Sequence, residues 1–550
     1  MRVGDAVVIA PDHTIGLSMA LDDLPLALQR GLDRLVRRLR VGPAPATGPA
    51  RLLVVQIDGL SRSMLARALA RGAMPFLARL LDRHGFALTP MSVGLPTSTA
   101  SFQMAAMFGV RPDIPGFHYH DKRRRADVHF PRAGHAARVE ADQAAGRTGI
   151  VAGGSAYGCV FTGGAQHNLY SFSRLTRPTG EGLLRALSAF VVLAYVFVKS
   201  MALTALELGR FLGGLLVNRT GRRGWQWLGI KIGVSIWLRA LFTLSVSRDL
   251  YAGVPSVYVN FLDYDVTAHA FGPRHRRTLR ALRRIDRSIQ QLWRVLRRVP
   301  EYRYDLYVLS DHGQAPCVSY PTVAGGDSLT RRLFREFLDG APAAPAAANG
   351  RGTLGRFLHY RRAEKGLVQR FLNYLEEDVF GEASAAERNG VRVIAAGPNA
   401  FLYVVDAAEP LTIEQLEPRF PGLGEALSAS PGIGFVLVRS EGGPLCFWRG
   451  QRYALGPGQA GPFGDRPDAD LVVSGLLDLM AMPSAGDLVI YGIDAPEGHV
   501  SFIAEVGAHA GPSPDEMQTF IVAPPGVRLP HPITHPVQLY AHFVAYRVGA

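Results

Sequence analysis

Val257–Pro273 reads Val-Tyr-Val-Asn-Phe-Leu-Asp-Tyr-Asp-Val-Thr-Ala-His-Ala-Phe-Gly-Pro. Its first half is apolar, β-branched and aromatic, the composition of a buried strand. The strand runs straight into Asp263, Asp265 and His269. Open α/β sheets place their ligands at such strand ends. Asp265 and His269 are four residues apart, so one helical turn sets a carboxylate and an imidazole on one face. Such a pair can share a divalent cation, typically zinc. Alone, it reads as simply as a helix-capping Asp and a surface His. The argument rests on recurrence.

The apolar run Leu52–Ile57 ends at Asp58-Gly59, and Tyr304–Leu309 ends at Ser310-Asp311-His312-Gly313. A later run from Val500 delivers His509 into a glycine-flanked loop. Gly94-Leu95-Pro96-Thr97-Ser98-Thr99-Ala100-Ser101 leads into a helix-forming stretch. A hydroxyl there faces free backbone N–H groups and the positive end of the helix dipole. That suits a cap, and it equally suits a nucleophile whose phosphorylated form needs anion stabilisation. Asp58, Asp265, Asp311, His269, His312 and His509 are enough for two metal ions with three protein ligands each.

In this order, a strand-end Asp, a Thr opening a helix, Asp-x-x-x-His, Ser-Asp-His-Gly and a late Gly-x-His resemble the type I phosphodiesterase / nucleotide pyrophosphatase family of the alkaline phosphatase superfamily. The resemblance covers roughly residues 50–130, 255–320 and 395–530. It implies an α/β fold: a central, mostly parallel sheet flanked by helices, here with a helical apolar insertion. It implies Thr99 as nucleophile, because the family's Thr has a Gly ten and a Pro thirteen residues on, and Gly109 and Pro112 fit. One cation, zinc by preference, would be held by Asp265, His269 and His509. The other would be held by Asp58, Asp311 and His312, with Thr99 as a further ligand. The family's Asn three residues after the nucleophile is Phe102 here, so that substrate contact is missing or passes to Gln103 or Ser101. The late motif continues as Ala510-Gly511-Pro512 instead of Gly or an aromatic. No cysteine sits in a sulfatase-type Cys-x-Pro-x-Arg motif.

The positioning elements divide the chain. Residues 1–50 are a lead-in, with an Arg-rich amphipathic helix expected at Leu24–Leu39 and a linker at Gly42–Pro49. Residues 51–180, 251–324 and 391–550 carry the catalytic core, with a single helix expected at Ser63–Leu81 and further strands in Val391–Asp406, Gly432–Ser440 and Gly486–Gly492. The aromatic and basic run Gly116–Arg125 could line a substrate mouth, with His120 as a contact. Leu279–Leu296 has the period of a cover helix, its outer face carrying Arg280, Arg283, Arg284, Arg287 and Arg294. Residues 325–390 are a helical insertion with an Ala/Pro linker at Ala341–Ala348.

Residues 181–250 form an apolar helical insertion. Ala186–Leu206 is a 21-residue stretch interrupted only by Lys199, and Trp225–Ser247 carries Lys231 and Arg239. About 20 residues cross a bilayer, but a central Lys costs about 2.5–3.5 kcal/mol there. If residues on both sides build one site, both sides must lie in one compartment and a single span is excluded. A hairpin, an in-plane pair or a protein-packed insertion remains.

The net charge of +14 across 550 residues favours anionic partners: a phosphorylated small molecule or lipid headgroup, and an anionic membrane surface. No specific nucleic-acid binding is expected. Three scattered cysteines make no disulfide framework. Met1–Leu21 has no apolar core of a secretory signal, so a cytoplasmic or membrane-associated place is expected. The chemistry expected is hydrolysis of phosphodiester or pyrophosphate bonds through a phosphothreonine, with two metals about 3.5–4 Å apart bracketing the attacking and leaving oxygens. The alternatives are transfer of a phosphorylated headgroup at a membrane, and a non-catalytic basic membrane-surface protein on the same fold.

Overall fold

Three apolar strands set the frame. Arg51–Ile57 lies between Tyr304–Leu309 and Ser256–Phe261 and is parallel to both. Their side chains are buried almost throughout, as the β-branched runs Leu53-Val54-Val55 and Val257-Tyr258-Val259 require of strands covered on both faces. The register pairs Ile57 with Phe261 and Gln56 with Leu309. The three strands therefore end level, and the residues after them, Asp58, Asp263 and Asp311, emerge at one edge.

The computed structural model describes residues 48–130, 132–168, parts of 197–209, residue 228, 231–338 and 385–548. The expected helix Leu24–Leu39, the linker Ala341–Ala348 and most of Ala186–Leu206 lie outside the described residues. The chain divides into two units, residues 48–169 with 242–550, and residues 1–47 with 170–241.

In the larger unit the central sheet has seven strands, in the order Ala87–Ser92, Gln518–Ala523, Tyr304–Leu309, Arg51–Ile57, Ser256–Phe261, Ser155–Tyr157 and His167–Asn168. Of these, Gln518–Ala523 runs against the others, pairing antiparallel with both its neighbours. The mostly parallel sheet expected from the sequence is thus present. Helices flank it. Thr99–Phe108 is buried at every residue, and the terminal helix Val537–Val548 packs against it. Arg276–Leu296 buries Leu279, Leu282, Ile285, Ile289 and Leu292. Of its expected basic face only Arg280 is exposed, while Arg283, Arg284, Arg287 and Arg294 are half-buried. The helix expected at Ser63–Leu81 is two helices, Arg62–Ala70 and Pro75–Arg83. Gly72 at φ 62° turns the chain between them, and Pro75 opens the second.

The strands expected after residue 391 do not extend the central sheet, Gln518–Ala523 excepted. They build a second sheet of seven strands, antiparallel throughout, in the order Ala385–Arg388, Val391–Ala395, Asn399–Val404, Leu488–Tyr491, Phe435–Val438, Leu445–Trp448 and Gln451–Ala454. Val391–Asp406 is a hairpin rather than one strand. Helix Ala469–Met480 covers one face of this sheet through Val472, Leu476 and Leu479. Leu329–Glu336 and Leu423–Ser428 cover the other through Leu333, Phe334 and Leu427.

In the smaller unit the described residues between 197 and 209 are helical, with Phe197, Val198, Met201 and Leu208 exposed. Lys231–Leu238 is a π-helical run. No helix among the described residues is long and apolar enough to cross a membrane.

Candidate active site

Asp58 is the first residue past its strand. Its Oδ2 accepts from Asn260 Nδ2 at 2.6 Å, and its Oδ1 lies 3.3 Å from the Thr99 hydroxyl. Asp311 stands at the same edge, two residues past the neighbouring strand. Its Oδ1 accepts from the Gly59 amide at 3.2 Å, and its buried Oδ2 has no hydrogen-bond partner among the described residues. Gly59 has φ 75°, and a Cβ there would come within 2.6 Å of Asp265 Oδ1. Only glycine lets the strand end approach the helix that carries Asp265.

That helix, Asp263–Phe271, begins almost at once after the strand and places Asp265 and His269 one turn apart, Nε2 to Oδ2 at 3.3 Å. His509 arrives through a two-residue strand, Gly507–Ala508, paired antiparallel with Ala315–Pro316 just beyond the Ser-Asp-His-Gly turn. Its ring lies 3.8 Å from that of His312 and 5.0 Å from that of His269.

Each histidine turns Nδ1 away from the pocket onto oxygen acceptors. For His312 the partner is Gly313 O at 3.1 Å, and for His509 it is Thr97 O at 2.7 Å. For His269 the partners are Glu505 Oε2 at 2.7 Å and Gly507 O at 2.9 Å. Carbonyls and carboxylates only accept, so Nδ1 carries a proton in each ring; Nε2 of His312 and His509 presents its lone pair inward, while Nε2 of His269 faces Asp265 Oδ2 at 3.3 Å. Three imidazole Nε2 atoms and three carboxylates then face one another. The ligand atoms of Asp58, Asp311 and His312 lie within 4.8 Å of one another, as do those of Asp265, His312 and His509.

The electrostatics follow from that crowding. Burial, then repulsion from Asp311 and Asp265, drives the Asp58 carboxyl well above the carboxylate range. Burial and Asp265 push Asp311 up to about 7. Burial also works to raise Asp265, but His269, His509 and His312 outweigh it and hold that carboxyl low. Burial opposes protonation of His269, and Asp265 and Glu505 overcome it and raise the ring well above the usual imidazole value. Burial, then His509, keeps His312 well below that value. This nitrogen and oxygen donor set suits divalent cations, and the orphaned Asp311 Oδ2 fits the same group.

Three hydroxyls precede the buried helix, and the structure distinguishes them. Thr97 Oγ1 is spent on the late loop, accepting from Ala510 N at 2.9 Å and reaching Gly511 O at 3.2 Å. Ser98 Oγ is buried with no hydrogen-bond partner among the described residues. Thr99 Oγ1 alone of the three reaches the cluster, 3.3 Å from Asp58 Oδ1 and 3.1 Å from His312 Nε2.

The expected substrate contacts fare differently. Gln103 is built into the core, its Oε1 accepting from Val160 N at 2.8 Å and its Nε2 donating to Gln56 at 3.1 Å. Ser101 is buried two residues after Thr99, a spacing that turns it to another side of the helix. His120 gives its Nδ1 contact to Asp127 at 2.9 Å and packs its ring on Tyr403. None of these bonds reaches the cluster.

Sequence reasoning missed the supporting residues. Glu505 holds His269. Gln314 donates to the backbone carbonyl of Asp265 at 3.2 Å and to its Oδ1. Glu516 gathers the amides of Ala510, Gly511 and Ser513 at 3.1, 2.9 and 3.3 Å. Only Asn260 left a readable trace, as an amide inside an otherwise apolar strand.

The profile of the type I phosphodiesterase / nucleotide pyrophosphatase family matches residues 235–389, which include Asp265, His269, Asp311 and His312. No curated protein matches the chain. Among solved structures, crystals of phosphonoacetate hydrolase from Sinorhizobium meliloti 1021 are similar at 14% identity, covering 92% of this chain and 100% of that one. The TM-scores are 0.45 for the complex with phosphonoformate and 0.44 for that with phosphonoacetate. Over residues 235–389 the chain is similar to the type I phosphodiesterase / nucleotide pyrophosphatase family.

Proposed function

We propose that this protein hydrolyses phosphodiester or pyrophosphate bonds in a phosphorylated small molecule, using two divalent cations, zinc foremost, and a covalent phosphothreonine at Thr99. The observation that carries the reading is the position of Thr99 Oγ1, 3.3 Å from Asp58 and 3.1 Å from His312. Asp265, His269 and His509 would hold one cation, and Asp58, Asp311, His312 and Thr99 the other. Bound there, the cations supply Lewis-acid charge that lowers the pKa of a hydroxyl or water and neutralises phosphoryl oxygens.

The side chains and the helix end do the rest. The contact with Asp58 or His312 fixes the Thr99 hydroxyl and offers its proton an acceptor within reach. Thr99 Oγ1 bonds to phosphorus while the bond from phosphorus to the leaving oxygen breaks on the opposite side. No side chain caps the helix Thr99–Phe108, so its first N–H groups are free to meet the charge that develops on the equatorial oxygens. Water then attacks the phosphothreonine, releasing the phosphorylated product and restoring the Thr99 hydroxyl.

The test is Thr99→Ala in the metal-loaded enzyme, assayed on chromogenic phosphodiesters and phosphomonoesters. Metal content and fold are expected to persist while turnover falls by roughly 10³-fold or more. Full activity in that variant would remove Thr99 from the chemistry. A second reading, transfer of a phosphorylated headgroup at an anionic membrane, is favoured by the exposed Phe197, Val198, Met201 and Leu208. Product analysis with and without lipid acceptors separates the two, since free phosphorylated product alone means hydrolysis.

A further inference from the structure

Among the three site histidines, only His269 has a carboxylate on Nδ1. The side chain of Glu505 is nearly buried, and its Oε2 lies 2.7 Å from that nitrogen. Its other oxygen, Oε1, accepts from Ser501 Oγ at 2.5 Å. Ser501 is fully buried on the short strand Val500–Ser501, which pairs in parallel with Val318–Ser319. The segment after Glu505 grips the same residue from two more sides. Val506 N donates to His269 O at 2.9 Å, and Gly507 O accepts at Nδ1 at 2.9 Å. A hydroxyl, a carboxylate and an imidazole thus form a chain that ends at His269 Nε2, 3.3 Å from Asp265 Oδ2.

We propose that Glu505 is a positioning residue for the cation site of Asp265, His269 and His509. It keeps the proton on His269 Nδ1, turns Nε2 onto Asp265, and makes that nitrogen a better donor, while Ser501 fixes Glu505. The physical basis is general. An imidazole whose distal N–H meets a carboxylate is oriented and more basic at the metal-facing nitrogen, and loss of such a partner typically costs about 10–100-fold in metal affinity. Gly507 O alone would be a neutral acceptor that leaves the ring less basic and freer to turn. On Nδ1, His312 and His509 have carbonyl partners instead, so the effect is specific to one of the two sites. The proposal rests on the two-cation reading above.

The experiment strips the full-length protein of metal, reloads it with zinc, and measures stoichiometry and affinity by chelator competition. The parent is compared with Glu505→Gln, Glu505→Ala and Ser501→Ala, and the melting of each metal-free form is recorded. The parent is expected to hold about two zinc ions per chain. Glu505→Ala should weaken one of them by about 10–100-fold and leave the other at parent affinity. Glu505→Gln still accepts from Nδ1–H without the charge, so it should fall between Ala and parent. Ser501→Ala should weaken the same site by less. A parent that takes up no zinc overturns the two-cation reading itself. A parent with two zinc ions and a Glu505→Ala protein that binds both equally well overturns this proposal alone. So does equal weakening of both sites, which would mean a general loss of packing. Should the Ala variant fail to fold, the near-isosteric Gln variant decides: parent affinity at both sites overturns the proposal.

Discussion

The imidazoles of His312 and His509 lie face to face, their ring centroids 3.8 Å apart and their planes 19° from parallel. Two imidazolium ions would not tolerate that spacing; burial, then His509, holds His312 well below the usual imidazole value, and burial, with His269 adding to it, holds His509 below it. Both therefore offer neutral Nε2 atoms to the pocket under conditions where a free histidine begins to protonate. The stack is the point at which the two expected cation sites meet.

Cations should stabilise the fold as well as serve the chemistry. In metal-free protein Asp58, Asp265 and Asp311 repel one another inside a buried pocket. A ligand at a hundred times its Kd adds about 2.7 kcal/mol to the folded state. Chelator-treated protein is expected to melt at a lower temperature than the loaded form, and added zinc should raise the midpoint progressively. A midpoint indifferent to zinc would contradict cation binding.

Gly59 is a backbone requirement of the site. Its φ is 75°, and a Cβ added there would stand 2.6 Å from Asp265 Oδ1, so Gly59→Ala strains the turn and displaces the carboxylate together. The expected cost is about 1–3 kcal/mol, accompanied by weaker cation uptake. Denaturant unfolding with metal analysis checks both, and a variant with parent stability and metal content would sink the argument.

Asp286 separates stability from activity. It lies on the helix Arg276–Leu296 and accepts from the amides of Phe76 and Leu77 at 2.9 and 2.8 Å, capping the helix Pro75–Arg83 from another element. Asp286→Ala should cost about 1–2 kcal/mol, as the loss of a cap does, with kcat unchanged per folded molecule. Chemical denaturation alongside steady-state kinetics reads the two effects separately.

Glu516 gives a pH signature. Burial pushes its carboxyl up to about 7, although Ser513 and the amides of Gly511, Ser513 and Ala510 oppose the shift. A carboxyl raised in the folded state binds its proton more tightly there than in the unfolded chain. Its contribution is complete below the unfolded value of about 4.3 and is lost as pH rises through about 7. Relative to Glu516→Gln, the parent should lose on the order of 3 kcal/mol between about pH 4 and pH 8. Parallel stability curves for parent and variant over that range would refute the shift.

The central strands and the chemistry at their ends were legible because local rules write them. Leu52–Ile57, Val257–Phe261 and the Leu306–Leu309 end of Tyr304–Leu309 have the apolar character of buried strands, and each leads into an acid. Asp265 and His269 meet because the helical repeat brings residues four apart together. Thr99 could be separated from Thr97 and Ser98 only by resemblance, and the tertiary structure adds a physical difference, since Thr97 is spent on Ala510 and Gly511.

What folding alone decided depends on contacts between distant segments, which no local pattern encodes. Val391–Asp406 reads as strand in either sheet; only pairing with Leu488–Tyr491 assigns it to the antiparallel one. Gln103 lies on the Thr99 side of its helix and reads as open to substrate, yet the core closes Gln56 and Val160 around it. Glu505 carries no local mark, because its partner His269 stands 236 residues away. Sequence by itself determined which residue types reach the sheet edge. The three-dimensional fold determined which of them face one another, because that is settled by register, by a glycine at Gly59 and by the short ladder that brings His509 against His312.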